Sequence, residues 1–380
     1  MSEKKYSNCL KLTQQFRFCP NAFRVDTYKG CDFGCKYCFA NADAENFKSS
    51  KYESFKLADL KQVENTFKKA FETDFNGDNL NVELLRHRVP LHCGGMADPF
   101  QTREWSAHQT YKLIELSNKY DYPIVFSTKT SHLQHEYFDI LNPNLHAFQI
   151  SMIGWTDEFV KTWELNTPTA SARLAFLKEL RAKGFWCSIR LQPLISLKES
   201  ILLLEQAQDA PSYVTVEHLR LPTPHVSLFN EFIKCYENKE DIVNQARMFN
   251  VATYKKKENI EELKKIAHKY GYKIGVGDND LHYLSESRCC CGIDCINDKF
   301  DNYLKYNITY MSTGNFSDED LWYPKSNCKS VMNQKLYSHK KFVGYEDLLK
   351  EYLTKHDVLD SKNKRKIEKQ VFKIAQKSLF

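Results

Sequence analysis

The middle of the chain alternates short apolar runs with longer segments whose apolar residues recur at helical spacing. The apolar runs predict strands at Phe23–Thr27, Val89–Cys93, Pro123–Ser127, Ala147–Met152, Phe185–Leu191 and Tyr213–Leu219, with Tyr272–Val276 as a further candidate. The helical patterns cover residues 57–72, 105–119, 132–141, 170–183, 197–208 and 258–270. This alternation predicts α/β units around a mostly parallel sheet.

Pattern and composition together predict three regions. Residues 1–20 are a lead-in, 21–280 hold the α/β units, and 281–380 form a C-terminal extension with a cysteine-rich segment and a basic terminal helix. We expect the extension to close over the carboxyl ends of the strands. Since the α/β region is long enough for one large domain, the extension is interpreted as an appendage to it.

The composition is that of a folded protein and says little about partners. Of 380 residues, 42% are hydrophobic and 27% charged, and the formal net charge of +6 is too small to indicate nucleic acid by itself. No run approaches the length of a membrane span, and the N-terminus lacks the apolar stretch of a secretory signal. We therefore expect a cytoplasmic protein with no membrane partner, in which disulfides are improbable.

Three cysteines lie within eight residues, at Cys31, Cys35 and Cys38, in a C-x3-C-x2-C pattern. Thiolates are soft ligands that select zinc, Cu(I) or iron–sulfur clusters. A closed tetrahedral zinc site, like a fully ligated cubane, needs a fourth protein ligand. A set of three predicts a 4Fe–4S cluster in which one iron is open to a small molecule. A zinc knuckle is the alternative.

The spacing and its flanking residues resemble the radical S-adenosylmethionine superfamily. Tyr37 is the aromatic residue usual before the third cysteine, while Tyr-x-Gly-Cys before the motif and Cys-Phe-Ala after it are similar to the spore-photoproduct-lyase-like branch. The resemblance implies a partial (β/α)6 TIM-like barrel, with Cys31, Cys35 and Cys38 each binding one iron. It also implies that the fourth iron binds S-adenosylmethionine (SAM). An electron from a donor such as flavodoxin or ferredoxin would then release a 5′-deoxyadenosyl radical that abstracts hydrogen from a substrate.

The resemblance further implies a SAM site at the strand ends. Gly94 and Gly95 match the glycines of the family's Gly-Gly-Glu segment, although Met96 replaces the acidic residue, and Asp98 begins the Asp-Pro-aromatic sequence of the branch. A tight Gly- and Pro-containing turn is the structural alternative.

Two later strands contribute further candidates. Lys129 matches the lysine that contacts the SAM carboxylate, and Ser151 resembles a ribose-contacting serine. Gln149 shares a face with Ser151 by strand alternation. Arg190 and Glu217 are interpreted as a possible pair of interior charges without individual roles.

A second group of cysteines follows the α/β region, at Cys289, Cys290, Cys291 and Cys295, and Cys328 lies further on. Three interpretations remain open: an auxiliary iron–sulfur cluster, a structural zinc site, or a thiol such as Cys291 that donates hydrogen to a substrate radical. Adjacent cysteines suit one cubane poorly, because neighbouring side chains diverge.

Cys93 is a second candidate for the hydrogen donor, since spore photoproduct lyases carry one near the end of the second strand. In this chain the equivalent position is Gly95, so a buried small residue is the alternative interpretation of Cys93.

The sequence thus predicts a radical SAM enzyme, with nucleic acid or a nucleobase derivative as the substrate class expected of the branch. Modification of a peptide or small metabolite, with an auxiliary cluster, is a second hypothesis. A non-catalytic zinc-containing nucleic-acid-binding protein is the third.

Overall fold

The computed structural model describes residues 5–42, 55–222, 226–245, 247–305 and 310. Cys328 and the expected basic terminal helix lie outside the described residues. Among the described helices, none has the length and apolar character needed to cross a lipid bilayer.

Strands in the described residues form three sheets. In chain order they are β1 (Lys5–Tyr6), β2 (Leu10–Leu12), β3 (Phe23–Val25), β4 (Tyr28–Lys29), β5 (Lys56–Ala58), β6 (Leu91–Cys93), β7 (Ile124–Thr128), β8 (His146–Ser151), β9 (Cys187–Leu194), β10 (Tyr213–His218), β11 (Arg220–Pro222), β12 (Ile242–Gln245), β13 (Met248–Val251) and β14 (Lys273–Val276).

The large sheet has eight strands in the order β14-β10-β9-β8-β7-β6-β3-β2. All neighbours in it are parallel except β2, which pairs antiparallel with β3. Parallel neighbours need a crossover connection, and the helices between successive strands supply it. The carboxyl ends of the parallel strands therefore meet at one edge of the sheet.

The α-helices lie between the strands along the chain. They are α1 (Phe39–Ala42), α2 (Leu60–Phe71), α3 (Leu80–Arg86), α4 (Glu104–Ala107), α5 (Gln109–Lys119), α6 (His135–Ile140), α7 (Asp157–Trp163), α8 (Ala170–Ala182), α9 (Leu197–Ala207), α10 (Val226–Ile233) and α11 (Thr253–Lys269). Several of them, such as α2 and α5, pack against the sheet in the main apolar core.

The prediction of a mixed α/β fold with a large parallel sheet is confirmed, and all seven expected strands are present within a few residues. The helix expected over 57–72 begins late, because Lys56–Ala58 pairs as a strand with β1 and β4. The helix expected over 105–119 is split at His108, whose φ of 49° is left-handed. Helices α3, α7 and α10 and the small antiparallel sheet of β11, β12 and β13 were not expected.

The two faces of the large sheet differ in chemistry. Phe126 and Phe148 belong to the main apolar core, which packs the sheet against helices such as α2 and α5. Because side chains alternate along a strand, Ser127 and Gln149 lie on the opposite face. There Ser127 Oγ lies 2.8 Å from His92 Nε2 and donates a hydrogen bond of 2.9 Å to Gln149 Oε1. We call this second side the polar face.

The described part of the C-terminal extension corrects one expectation. Residues 289–293 do not close the carboxyl ends of the strands. They pack against the strand beginnings, in an apolar cluster with Val125, Ala147 and Tyr213. The Tyr213 hydroxyl donates a hydrogen bond of 3.1 Å to the Cys289 carbonyl, and Gln149 Nε2 donates one of 3.2 Å to the Cys291 carbonyl. This segment therefore lies on the polar face of the sheet, near the amino ends of the parallel strands.

Candidate active site

Residues 30–38, which we call the cluster loop, follow β4 and carry Cys31, Cys35 and Cys38. The loop pairs with the segment after α7. Lys36 N donates to the Trp163 carbonyl at 2.9 Å, Asn166 N donates to the Phe33 carbonyl at 3.1 Å, and Cys35 and Glu164 form an antiparallel bridge between them. Backbone hydrogen bonds on both sides of Cys35 therefore fix the shape of the loop before any ligand binds.

The three thiols differ in environment. Cys35 is buried, whereas Cys31 and Cys38 are half-buried. Burial raises the pKa of Cys31 to about 12, with the Asp98 carboxylate acting in the same direction. Burial also raises the pKa of Cys35 to about 12, although the Lys129 ammonium opposes the rise. Since a metal binds the thiolate, a bound group must supply enough free energy to deprotonate both.

The donor set is compatible with an iron–sulfur cluster. Three thiolates lie on a short loop, in partly buried surroundings near a lysine. In a cubane each thiolate binds a different iron, so the three side chains need not converge on one atom. Among the described residues no group of three or more His, Cys, Asp or Glu side chains is arranged to hold one metal ion.

Glu164 is the centre of the polar contacts behind the cluster loop. Its fully buried carboxylate accepts hydrogen bonds from the Tyr37 hydroxyl and from Thr167, and forms a 2.8 Å ion pair with Arg173 Nη2. Burial alone would raise the pKa of Glu164, but Arg173 and Lys129 more than offset it, so the pKa lies below its ordinary value. The carboxylate is therefore ionised at neutral pH. Through Arg173 and Lys129 it joins α8 and the segment after β7 to the loop.

Lys129 follows β7 and points into the same group. Its Nζ lies 3.9 Å from Glu164 Oε1 and 5.9 Å from the centre of the Tyr37 ring. Burial would lower the pKa of Lys129, but Cys35 and Glu164 raise it above its ordinary value. The structure thus brings Tyr37, Lys129 and Cys35 together, and leaves a partly buried cation beside the predicted cluster.

Asp98 has a positioning role in the structure. Its Oδ1 accepts a hydrogen bond of 2.7 Å from the Thr128 hydroxyl, and its Oδ2 accepts one of 2.7 Å from the backbone N–H of Lys129. Burial raises the pKa of Asp98 to about 6, against the lowering effect of these hydrogen bonds. Asp98 therefore holds the end of β7 in the conformation that presents Lys129.

Gly94 and Gly95 are required by close packing of the loop after β6. Gly94 has a φ of 107°, and a Cβ there would lie 2.2 Å from the Ser127 carbonyl oxygen. A Cβ on Gly95 would lie 2.2 Å from Arg24 Cδ. Where the family commonly has an acidic residue, the backbone N–H of Met96 donates to Asp26 Oδ1 at 2.9 Å. The Asp26 carboxylate, which follows β3, thus contacts the backbone of Met96, the residue that replaces the acidic residue of the family's Gly-Gly-Glu segment.

Ser151 ends β8, and its carbonyl accepts a hydrogen bond of 2.7 Å from Arg173 Nη1. Arg173 therefore joins the end of β8 to Glu164 and the cluster loop. On the polar face, Arg190 Nη1 donates to Ser127 Oγ at 2.9 Å, and its Nε donates to Gln192. No ion pair between Arg190 and Glu217 is present in the described part of the chain, so the two charges are neighbours rather than partners. Burial, with Asp278 acting in the same direction, raises the pKa of Glu217 to about 7.

Cys93 is fully buried in the main apolar core, and burial raises its pKa well above the ordinary value. The preceding residue on the same strand, His92, occupies the polar face instead. Burial and the nearby Arg190 and Arg24 lower the pKa of His92, so that its ring is neutral. Sequence reasoning did not single out His92, although its alternation with Cys93 in β6 was a signal for the polar face.

The second group of cysteines is divided by the structure. Cys289, Cys290 and Cys291 are buried, and the Cys289 and Cys291 sulfur atoms lie 3.1 Å apart, whereas Cys295 is exposed. The Cys19 thiol, from the N-terminal lead-in, interacts with the thiols of Cys290 and Cys291. Cys19 was missed because nothing in the sequence pairs it with residues some 270 positions away.

Comparisons with known proteins were made by sequence and by structure. No protein-family model matches the chain. Uncharacterized proteins of Mycobacterium bovis (strain ATCC BAA-935 / AF2122/97) and Mycobacterium tuberculosis (strain ATCC 25618 / H37Rv) are each 26% identical to it over 182 residues, which is 46% of this chain and 50% of the relative. The chain therefore spans about half the length of the curated relatives it matches.

The fold is similar to solved structures of spore photoproduct lyase. A variant of that enzyme matches with a TM-score of 0.52 and 15% identity, covering 72% of this chain and 80% of the other. The complex with dinucleoside spore photoproduct matches with a TM-score of 0.51 and 14% identity, covering 70% and 78%. At this identity the likeness concerns the fold. The chain therefore has the fold of these spore photoproduct lyase structures, in agreement with the resemblance that its three-cysteine motif indicated.

Proposed function

We propose that this protein is a radical SAM enzyme built on a partial (β/α)6 barrel, which acts on a nucleic acid or a nucleobase derivative in the cytoplasm. Cys31, Cys35 and Cys38 would hold the 4Fe–4S cluster, and SAM would occupy the space between the cluster loop and the strand ends. When bound, the cluster supplies one electron that cleaves SAM, and the resulting 5′-deoxyadenosyl radical takes a hydrogen atom from the substrate.

The observation that carries the proposal is the junction of the three-cysteine loop with Glu164 and Lys129 at the carboxyl ends of the parallel strands. In α/β barrels the reactive groups gather at these ends. Lys129 supplies a partly buried cation suited to the SAM carboxylate, and Asp98 fixes the backbone from which it projects. Glu164 in turn keeps the loop in register with α7.

The substrate class has two supports. A solved structure with this fold is described as spore photoproduct lyase complexed with dinucleoside spore photoproduct. In this chain the polar face carries the half-buried Arg190 guanidinium, which is a donor, and the half-buried neutral ring of His92. Such groups suit a neutral, hydrogen-bonding ring system better than an apolar substrate.

The proposal is tested by purifying the protein anaerobically, restoring iron and sulfide, and measuring 5′-deoxyadenosine after reduction with dithionite. We expect close to four irons per chain and SAM cleavage that depends on all three cysteines. Deuterated oligonucleotides containing pyrimidine and purine residues then test the substrate class, since label should enter 5′-deoxyadenosine. A colourless protein that carries zinc and cleaves no SAM would refute the enzyme and favour the zinc-containing nucleic-acid-binding alternative.

A second candidate function is modification of a peptide or small metabolite with the help of an auxiliary cluster. The gathering of the Cys19, Cys290 and Cys291 thiols favours this candidate. Iron well above four per chain, lowered by Cys19→Ala without loss of SAM cleavage, would support it over the first.

A further inference from the structure

Glu217 lies at the carboxyl end of β10, at the same edge of the sheet as Lys129, which follows β7. Its side chain is half-buried. The pairing of β10 with β9 is irregular between Val216 and His218, and an irregularity of this kind often re-aims a side chain beside an active site. The local strand geometry therefore makes Glu217 a candidate for contact with a ligand.

The Glu217 carboxylate and the Gln192 amide lie close together. A Cβ built on Gly277 would lie 3.3 Å from Glu217 Oε2 and 2.7 Å from Gln192 Nε2, so both atoms border the same small volume. The glycine thus leaves room for the two side chains. Its backbone N–H donates a hydrogen bond of 2.7 Å to the Val216 carbonyl, which holds this position against β10. One ligand can therefore contact both groups.

The orientation of the Gln192 amide is set by Arg190. Arg190 Nε donates a hydrogen bond to Gln192 Oε1, and Arg190 Nη1 donates one of 2.9 Å to Ser127 Oγ on the polar face. A guanidinium has donors only, so the amide oxygen faces Arg190 and the amide nitrogen lies on the side of Glu217. Gln192 therefore offers N–H donors next to a carboxylate.

The Glu217 carboxylate has no hydrogen bond and no ion pair within the described residues, and its interactions there are with charges at longer range. The neighbouring Asp278 is already paired with His218 and Lys256. Burial and Asp278 raise the pKa of Glu217 to about 7, against the lowering effect of three cations, Arg190, Arg220 and Lys256. Two acceptor oxygens are thus left for a ligand, and a ligand that donates to both favours the ionised form.

We propose that Glu217 and Gln192 are specificity-determining residues that bind the Watson–Crick edge of a guanine base. Glu217 accepts hydrogen bonds from the N1–H and the 2-amino group, and Gln192 donates one to O6. Among the common bases, guanine is the one that places two donors side by side next to an acceptor, which matches a carboxylate beside an amide N–H. The inference rests on the proposed function, in which the substrate contains a nucleobase, and it names the base.

The test measures binding of labelled single-stranded hexadeoxynucleotides by fluorescence anisotropy. Each is all dT except for one central base, which is guanine, hypoxanthine, adenine or cytosine. Hypoxanthine keeps the N1–H and O6 but lacks the 2-amino group. With reconstituted protein and SAM, we expect guanine to bind about tenfold more tightly than hypoxanthine, the size of one hydrogen bond to a charged group. Adenine and cytosine should bind no more tightly than dT.

Two variants should change this pattern in different ways. Glu217→Gln should weaken guanine binding about tenfold and bring the guanine and hypoxanthine affinities within about a factor of two, because the carboxylate no longer accepts from the 2-amino group. Gln192→Leu should weaken both by a similar factor, since both bases carry O6. Glu205→Gln, which alters a half-buried glutamate on α9, is the matched control and should leave all affinities unchanged.

The pH dependence gives a second measurement on the same samples. Since the ionised carboxylate accepts both hydrogen bonds, guanine binding by the wild type should strengthen from pH 6 to pH 8, across the pKa of Glu217. Glu217→Gln should lack this dependence. Thermal unfolding of each variant checks its folding.

Equal affinities of the wild type for guanine and hypoxanthine would overturn the inference. An equal loss for both bases in Glu217→Gln would also overturn it, because the side chain would then act on the fold alone. SAM cleavage by a wild type without guanine preference would refute only this inference. A guanine preference in a reconstituted wild type that cleaves no SAM would support the base site and refute the proposed function.

Discussion

The cluster loop (30–38) and the second cysteine loop (289–295) carry the same donor atoms in opposite surroundings. The first is held by backbone pairing at the strand ends, faces solvent in part, and has the Lys129 ammonium beside it. The second lies at the strand beginnings within an apolar cluster, where burial, neighbouring thiols and the Asp294 carboxylate raise the pKa of Cys289.

The difference shows that cysteine count alone does not predict a reactive site. A thiolate needs stabilisation by a cation, a metal or hydrogen-bond donors. In the cluster loop the Lys129 ammonium acts in this way on Cys35, whereas in the second loop Lys273 and Arg288 act on the exposed Cys295. The cysteines of the cluster loop are also spaced by two or three residues, which lets their side chains reach different atoms of a polynuclear group. In the second loop, by contrast, adjacent thiols contact one another and the Cys19 thiol.

The largest expected effect is the difference in 5′-deoxyadenosine formation between cysteine substitutions in the cluster loop and in the second cysteine loop. Cys31→Ala, Cys35→Ala or Cys38→Ala should reduce 5′-deoxyadenosine formation below detection, because each removes a proposed iron ligand. Cys291→Ala should leave SAM cleavage within a factor of about two of the wild type, a small change on the scale of transition-state free energy. Iron content and 5′-deoxyadenosine are measured on the same reconstituted samples. Loss of cleavage in Cys291→Ala would contradict the distinction between the loops.

The next largest effect is on stability and concerns the buried Glu164–Arg173 ion pair behind the cluster loop. Glu164→Gln leaves the fully buried Arg173 without its carboxylate partner, and we expect the free energy of unfolding to fall by about 3 kcal/mol. Thr167→Val, which removes one hydrogen bond from an uncharged hydroxyl to the same carboxylate, should cost about 1.5 kcal/mol. Urea denaturation measures both. Equal losses in the free energy of unfolding would show that the Arg173 ion pair contributes no more than the Thr167 hydrogen bond.

Acid should change the stability difference between the wild type and Glu164→Gln in a direction set by the pKa of Glu164. Because the pKa of Glu164 is lowered in the folded protein, its contribution is present above the ordinary glutamate pKa and is lost as pH falls through the folded value. The stability difference between wild type and Glu164→Gln should therefore be constant from pH 7 to pH 5 and shrink below about pH 4.5. A difference that grows on acidification would contradict this.

The smallest effect sharpens the contrast within the second cysteine loop. Cys295 is exposed, whereas Cys289 and Cys291 are buried, so an alkylating reagent should modify Cys295 first. Partial desolvation of its sulfur, with the Asp294 carboxylate acting in the same direction, raises the pKa of Cys295 to about 11. The reaction should therefore be slow at neutral pH and faster at pH 9. Mass spectrometry of the native protein measures this order, and Cys295→Ser is the control. Early alkylation of Cys291 would show that the loop opens to solvent.

Much of the fold could be predicted from local pattern, and the failures have a common cause. The strands of the parallel sheet are buried on both faces or alternate in polarity, so their runs were visible. Lys56–Ala58 was read as helix because its partner strands are far away in the chain, and the gathering of Cys19 with Cys291 likewise depends on contacts between distant segments. For the candidate site, sequence reasoning singled out Cys31, Cys35, Cys38 and Lys129, but not the Glu164 carboxylate, which lies beside Lys129 and whose backbone pairs with Cys35.

The sequence by itself determined the α/β class, the three-cysteine motif and the branch it resembles, because these depend on periodicity and on spacing within a few residues. Only the tertiary structure decided which cysteines share surroundings, which charges meet, and which side of the sheet the extension occupies. Burial, and with it the pKa of each thiol, is set by residues that arrive from distant parts of the chain. That is why two similar sets of cysteines have such different environments.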